Sequence, residues 1–286
     1  MLAGVMLLWF LLTALSLLFV VIDIRSTPAS PVIKWGFILL TAYTGPLGLF
    51  LYMLGCREPL PGLHERYVAT RWRQVLGSTM HCVAGDGVGI LTGAVIASLF
   101  HLPLVTDIAL EYALGFGFGW SVFQALFMRD MAGGSYRRAL SSAFFPELLS
   151  MNFLMAGMVP VMTLAIANTP GSRDPSGPAF WFVMSMALLV GFITAYPMNW
   201  WLVSRHMKHG MMTMRPTRES ANLGAHESMQ GSPPQHDHSS GEKRNSKAPM
   251  EGDMKSVSNS ILYWMTALSF LVLGLGISIA VVFGDL

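Results

Sequence analysis

A helix needs about 20 mostly apolar residues to cross a bilayer, and this chain has seven such stretches: residues 1–22, 32–54, 80–102, 104–128, 143–167, 178–203 and 261–283. The composition agrees, with 53% hydrophobic and only 12% charged residues, against about 25% charged in soluble domains. The fold expected is all-α, a polytopic transmembrane bundle of about seven helices in the lipid bilayer. The parts expected are a two-helix hairpin (1–55), a four-helix membrane core (56–204), a disordered His/Met-rich loop (205–260) and a C-terminal transmembrane helix (261–286). The first stretch reads as a retained helix rather than a secretory signal, because no Lys or Arg precedes it and Asp23, Ile24 and Arg25 follow where small residues would mark cleavage.

Net charge is +2 and no basic patch interleaves with aromatics, so nucleic acid is excluded as a partner. Two cysteines, Cys56 and Cys82, make no disulfide framework. With seven spans, the segments sharing a side with the N-terminus hold fifteen of the 18 Lys and Arg residues; Arg25, Lys34 and Arg173 fall opposite. The positive-inside rule then predicts a multi-pass protein of the cell inner (plasma) membrane, N-terminus cytoplasmic and C-terminus outside. The long polar segment carries His206, His209, His226, His236 and His238 among seven methionines. Imidazole and thioether ligands suit copper and other late transition metals; the favoured reading of the segment is a flexible linker before the last helix, with a metal-binding tail or a docking tail for a cytoplasmic partner as the alternatives.

Ionisable groups at membrane depth are costly and are functional candidates by default. Helical spacing puts Cys82, Asp86, Gly89 and Gly93 on one face, with His81 one residue outside it. The two glycines form a groove for close helix approach. In the fifth stretch Met151, Met155, Met158 and Met162 repeat that spacing, with Glu147 one turn before them. Such a stripe either packs a core or passes a soft ion between thioethers. Asp107 and Glu111 pair at i, i+4 in the fourth stretch, suited to capturing a cation or relaying a proton. Pro197 predicts a kink in the sixth, followed by Asn199 between aromatic anchors.

Several strings carry a family resemblance: Gly45-Pro46-Leu47-Gly48, His81-Cys82-Val83-Ala84-Gly85-Asp86, Pro146-Glu147, Ser150-Met151-Asn152 and Ala195-Tyr196-Pro197-Met198-Asn199-Trp200-Trp201, leading to Lys208-His209-Gly210-Met211. Over roughly residues 1–215 they resemble a bacterial multi-pass membrane family catalogued as a domain of unknown function. Some relatives show a pattern resembling His-Cys-x-x-Gly-Cys; here Asp86 replaces the second cysteine. The resemblance implies a polytopic membrane protein and no established activity.

The leading expectation is a protein that binds or moves a soft metal cation such as copper, through His81, Cys82, Asp86, Glu147, Met151, Met155, Met158 and Met162, with His206 and His209 opening a metal reservoir. The alternatives are an accessory membrane subunit without transport activity and a proton-coupled carrier. Enzymatic chemistry is not expected: adjacent helical residues such as His81 and Cys82 point about 100° apart and cannot pair as base and nucleophile.

Overall fold

Inside a bilayer the backbone must satisfy its own hydrogen bonds, which leaves helices as the solution for apolar runs of this kind. The computed structural model describes residues 1–57, 64–125, 135–208 and 258–283, and its regular structure there is helical throughout. The elements are α1 (Leu2–Asp23), α2 (Pro31–Thr44), α3 (Pro46–Gly55), α4 (His64–Val68), α5 (Arg71–Leu99), α6 (Leu104–Phe118) running into a wide π turn (Gly119–Gln124), α7 (Tyr136–Asn168), α8 (Pro178–Ser204) and α9 (Asn259–Phe283). Among the described residues five helices are individually long and apolar enough to cross a membrane: α1, α5, α7, α8 and α9. The helical-bundle expectation stands. Most of the 205–260 segment lies outside the described residues.

The second apolar stretch is not one helix. Thr44-Gly45-Pro46 breaks it: Pro46 opens α3 at its first position, disfavours helical geometry in the residue before it, and Gly45 takes φ 59°, where a Cβ is costly. The chain then folds back. Phe37 and Tyr52 rings meet at 5.6 Å, and a Cβ at Gly48 would lie 2.5 Å from Thr41 Cα, so α2 and α3 run antiparallel. Tyr52 donates to Asp23 Oδ2 at 2.7 Å and Arg57 pairs with the same carboxylate at 3.0 Å. Thus α3 ends where α1 ended. This corrects the expected span over 32–54: those residues form a re-entrant pair of short helices.

The other helices cross and return. Glycines let α6 lie against α5, Gly89 facing the Leu114 carbonyl and Gly93 the Glu111 backbone, as the groove predicted. Tyr196 of α8 donates to the Trp72 carbonyl at the start of α5, 3.2 Å. Trp9 donates to Ser185 at 3.1 Å, so α1 runs parallel to α8. Ser269 accepts from Asn152 at 3.0 Å and Gly276 abuts Ala156, so α9 runs parallel to α7. One end of the bundle therefore holds the first residues of α1, the close of α5, the start of α6, the end of α7, the start of α8 and the end of α9. The other end holds Arg57, the starts of α5 and α7, and Lys208. Fold-back of α2 and α3 places the N-terminus opposite Arg57 and the start of α5, not beside them as an uninterrupted span required. The outer faces of α1 and α9 carry exposed leucine, valine and phenylalanine, the surface lipid tails would cover.

Candidate functional site

The site is made by the way α8 ends. His206 N–H bonds to Val203 O at 3.2 Å and Met207 N–H to Leu202 O at 3.0 Å, the crossed pair of a Schellman motif. His206 sits in the left-handed position at φ 57°, usually a glycine's place. The chain turns back on itself, and Lys208 swings into the bundle instead of out toward water. Its side chain is 0% exposed.

There the Lys208 ammonium donates to three groups: Cys82 Sγ, Asn199 Oδ1 at 3.1 Å and Glu147 Oε2 at 3.4 Å. The Cys82 thiol donates to the same Glu147 oxygen at 3.1 Å. Asn199 is held by its own amide, which donates to Ser150 Oγ at 2.8 Å and Ala195 O at 3.1 Å. His81 packs edge-on to Phe123 at 5.6 Å, hydrogen-bonds Gln124 and lies within electrostatic reach of Glu147 and Lys208. The π turn after α6 thus supplies the contacts that hold His81 beside the face of Cys82.

Asp86, one turn beyond Cys82, completes the cluster. Neither of its carboxyl oxygens receives a hydrogen bond from a described protein donor, and it faces the Glu147 carboxyl. Two carboxyls in that contact become hydrogen-bonded only with a proton between them. Gly119 makes room for the pair: a Cβ there would strike Asp86 Oδ1 and lie 2.9 Å from Glu147 Oε1. π turns recur at functional sites, and here the turn brings a side-chain-free backbone against two acids. The count is one ammonium against two carboxyls and a thiol, all buried. An unpaired buried charge costs several kcal/mol, so the neutral arrangement has Glu147 ionised beside Lys208 and a proton on Asp86.

The cluster is deeper than the apolar stretch beginning at 80 implied. α5 starts at Arg71, so Cys82 lies about 16 Å along the helix at about 1.5 Å per residue. The structure places His81, Cys82, Asp86 and Glu147 together in one buried cluster. Met151, Met155, Met158 and Met162 are buried in the core and lead away from Glu147, the last of them about 22 Å from it along α7 by the same rise. Met162 reaches the wall of a cavity at the opposite end of the bundle. His206 is exposed and terminates a helix; His209 lies outside the described residues. Among the described residues no group of three or more His, Cys, Asp and Glu side chains is arranged to hold a metal ion, and the Lys208 ammonium stands where a cation would approach Cys82 and Glu147. In the sequence Lys208 is one of the loop charges and closes the strings that carry the family resemblance, with no role of its own; the helix-ending reversal that buries it has no glycine to signal it.

No curated protein and no solved structure matches the chain. Residues 71–208, just under half of it, match a family model described as Domain of unknown function (DUF4396); the match starts on the first residue of α5, closes on Lys208, and so contains every member of the buried cluster.

Proposed function

We propose that this protein is a proton-coupled carrier of a small cation in a bacterial inner membrane, with Asp86, Glu147 and Lys208 as its proton-holding centre. The observation that carries the reading is the charge count: a wholly buried ammonium faces two carboxyls, and the second carboxyl needs a proton. A proton held by contact with an ion pair exchanges when that pair is disturbed, which is what coupling requires. Lys208 sits four residues past α8 on a short reversal, so it can leave the cluster without moving a whole helix. The methionine-lined face of α7 then leads to the second acidic site, Asp107 and Glu111, at the far end. Orientation follows from charge: every Lys and Arg except Arg173 belongs to the Lys208 end or to connections leaving from it, so that end is assigned to the cytoplasm and both termini to the outside.

Transport of a soft metal is the second reading, favoured by the continuity of four buried thioethers from Glu147 to the cavity wall. It requires Lys208 to vacate Cys82 and Glu147 first. Elemental analysis of the purified chain and of Lys208→Met separates the two: copper retained by the variant at higher occupancy supports the metal reading. For the carrier, proteoliposomes with an entrapped pH dye are the test. Cation addition should drive proton counterflow in the natural protein and not in Asp86→Asn. An infrared band for a protonated carboxyl that is absent from the natural protein removes the premise.

A further inference from the structure

At the end opposite Lys208, α5, α6, α7 and α8 part around a cavity of about 610 Å³, within the size range of small-molecule sites and many times the volume of a water. Glu111 lines it. That side chain is 0% exposed and neither carboxyl oxygen has a described hydrogen-bond partner. A buried carboxyl left without donors is strongly disfavoured in its charged form, and α5 meets α6 here through main chain, Gly93 facing the Leu110 and Glu111 backbone. The reason for the carboxyl therefore lies in what fills the cavity.

We infer that this cavity binds a small organic ammonium ion, its charged head on Glu111 and Asp107 and its apolar body against Met162, Met184 and Phe180. The walls decide the ligand class. A hard metal ion takes six or more oxygens, and no three-ligand group of acidic, histidine or cysteine side chains exists among the described residues. An ammonium needs only its N–H donors matched by the two carboxyls, and its carbon skeleton suits thioether and aromatic walls. The remaining charged and titratable groups at the cavity are His101 on the α5–α6 turn and Arg173 and Asp174 on the α7–α8 connection; α5, α7 and α8 themselves bring none. Arg173 acts electrostatically on Asp107. Asp174, outside the helices, is held below the ordinary carboxylate range by the hydroxyl and amide of Ser176, and so remains an anion at the mouth. Acid outweighs base here, and Glu111 is the group left to exchange its proton for the ligand's charge.

This inference deepens the carrier reading, naming its substrate class, and rests on it for transport; binding is tested separately. Full-length protein in detergent is titrated calorimetrically with benzylammonium, in two buffers of different ionisation enthalpy so that released protons are counted, and with neutral benzyl alcohol as the control. Benzylammonium should bind with release of about one proton, benzyl alcohol at least about tenfold more weakly. Glu111→Gln, an isostere that keeps the empty cavity neutral, should weaken benzylammonium by a similar factor and abolish proton release. Asp107→Asn should weaken it without abolishing release. Equal binding of the alcohol, unchanged binding by Glu111→Gln, or displacement of benzylammonium by equimolar Mg²⁺ or Cu(I) overturns the assignment. Binding without any proton flux in proteoliposomes would sink the carrier reading and leave the site intact; proton flux without benzylammonium binding would do the reverse.

Discussion

Removing the Lys208 ammonium tests the central arrangement most directly. Its nitrogen lies 3.4 Å from Glu147 Oε2 with both side chains at 1% exposure or less. At an effective dielectric of about 20, the Coulomb attraction at that separation is about 5 kcal/mol, set against the desolvation both groups suffered on burial. Lys208→Met keeps the length and bulk but strands the Glu147 carboxylate, and the expected loss is about 3–5 kcal/mol of unfolding free energy. Glu147→Gln should cost less, about 1–3 kcal/mol, because Asp86 is close enough to give up its proton and replace the lost charge. The double variant removes both ions and recovers most of the loss. Reversible unfolding of micelle-embedded protein by sodium dodecyl sulfate, followed by helical circular dichroism, gives all four free energies of the cycle. A coupling above about 2 kcal/mol is expected; additivity within about 0.5 kcal/mol, or a neutral Lys208→Met, refutes the buried-pair argument.

Adjacent glycines provide a contrast in the same assay. Gly119→Ala pushes a methyl into Asp86 and Glu147 and should destabilise by about 1–3 kcal/mol, whereas Gly117→Ala meets nothing within 4 Å and should gain up to about 1 kcal/mol from helix propensity. Asn152→Leu breaks the link from Tyr112 (2.6 Å) to Ser269 (3.0 Å) that ties α6, α7 and α9 together, costing about 1–3 kcal/mol, while Tyr112→Phe removes one bond and should cost about 1 kcal/mol. For sidedness, Ala3→Cys and Ser135→Cys, both at exposed positions, are placed in a background lacking Cys56 and Cys82. They should react with an impermeant maleimide from opposite faces of intact cells and inverted vesicles; labelling from one face contradicts the re-entrant hairpin.

Much of the site was readable from helical period alone. Cys82 and Asp86 at i, i+4 do share a face, Glu147 does stand one turn before the methionines, and the glycines after Asp86 do admit α6. Each of these depends on side-chain direction within one regular helix, which spacing specifies. Lys208 depends on something else. It is buried because α8 ends in a reversal whose left-handed residue is His206 rather than glycine, and a lysine just past a helix, in a stretch running into polar sequence, carries no mark distinguishing it from solvated charge. Gln124 and Gly119 enter the cluster through a π turn, whose altered register no 3.6-residue pattern foretells.

The reversal within residues 32–54 was hidden for a different reason. Hydropathy measures how long an apolar run is, not which way its second half travels, and this run is long enough to span. The break was written in Thr44-Gly45-Pro46, but a proline in an apolar run also fits a kinked span. What resolves the ambiguity is burial: Leu40, Tyr52 and the Thr41 and Thr44 hydroxyls are all enclosed, the hydroxyls bonding back to Phe37 and Leu40 carbonyls. The tip of the hairpin is likewise enclosed, Ser185 donating to the Tyr43 carbonyl at 2.5 Å. Non-helical backbone at that depth is tolerable only where protein supplies the hydrogen bonds, and here it does. Once the run is folded back, Arg25 and Lys34 move to the side of the other basic residues, and the two charges that broke the positive-inside pattern become part of it. Among the described residues Arg173 is then the single Lys or Arg at the opposite end, in the wall of the acidic cavity with Asp174, where it acts electrostatically on Asp107.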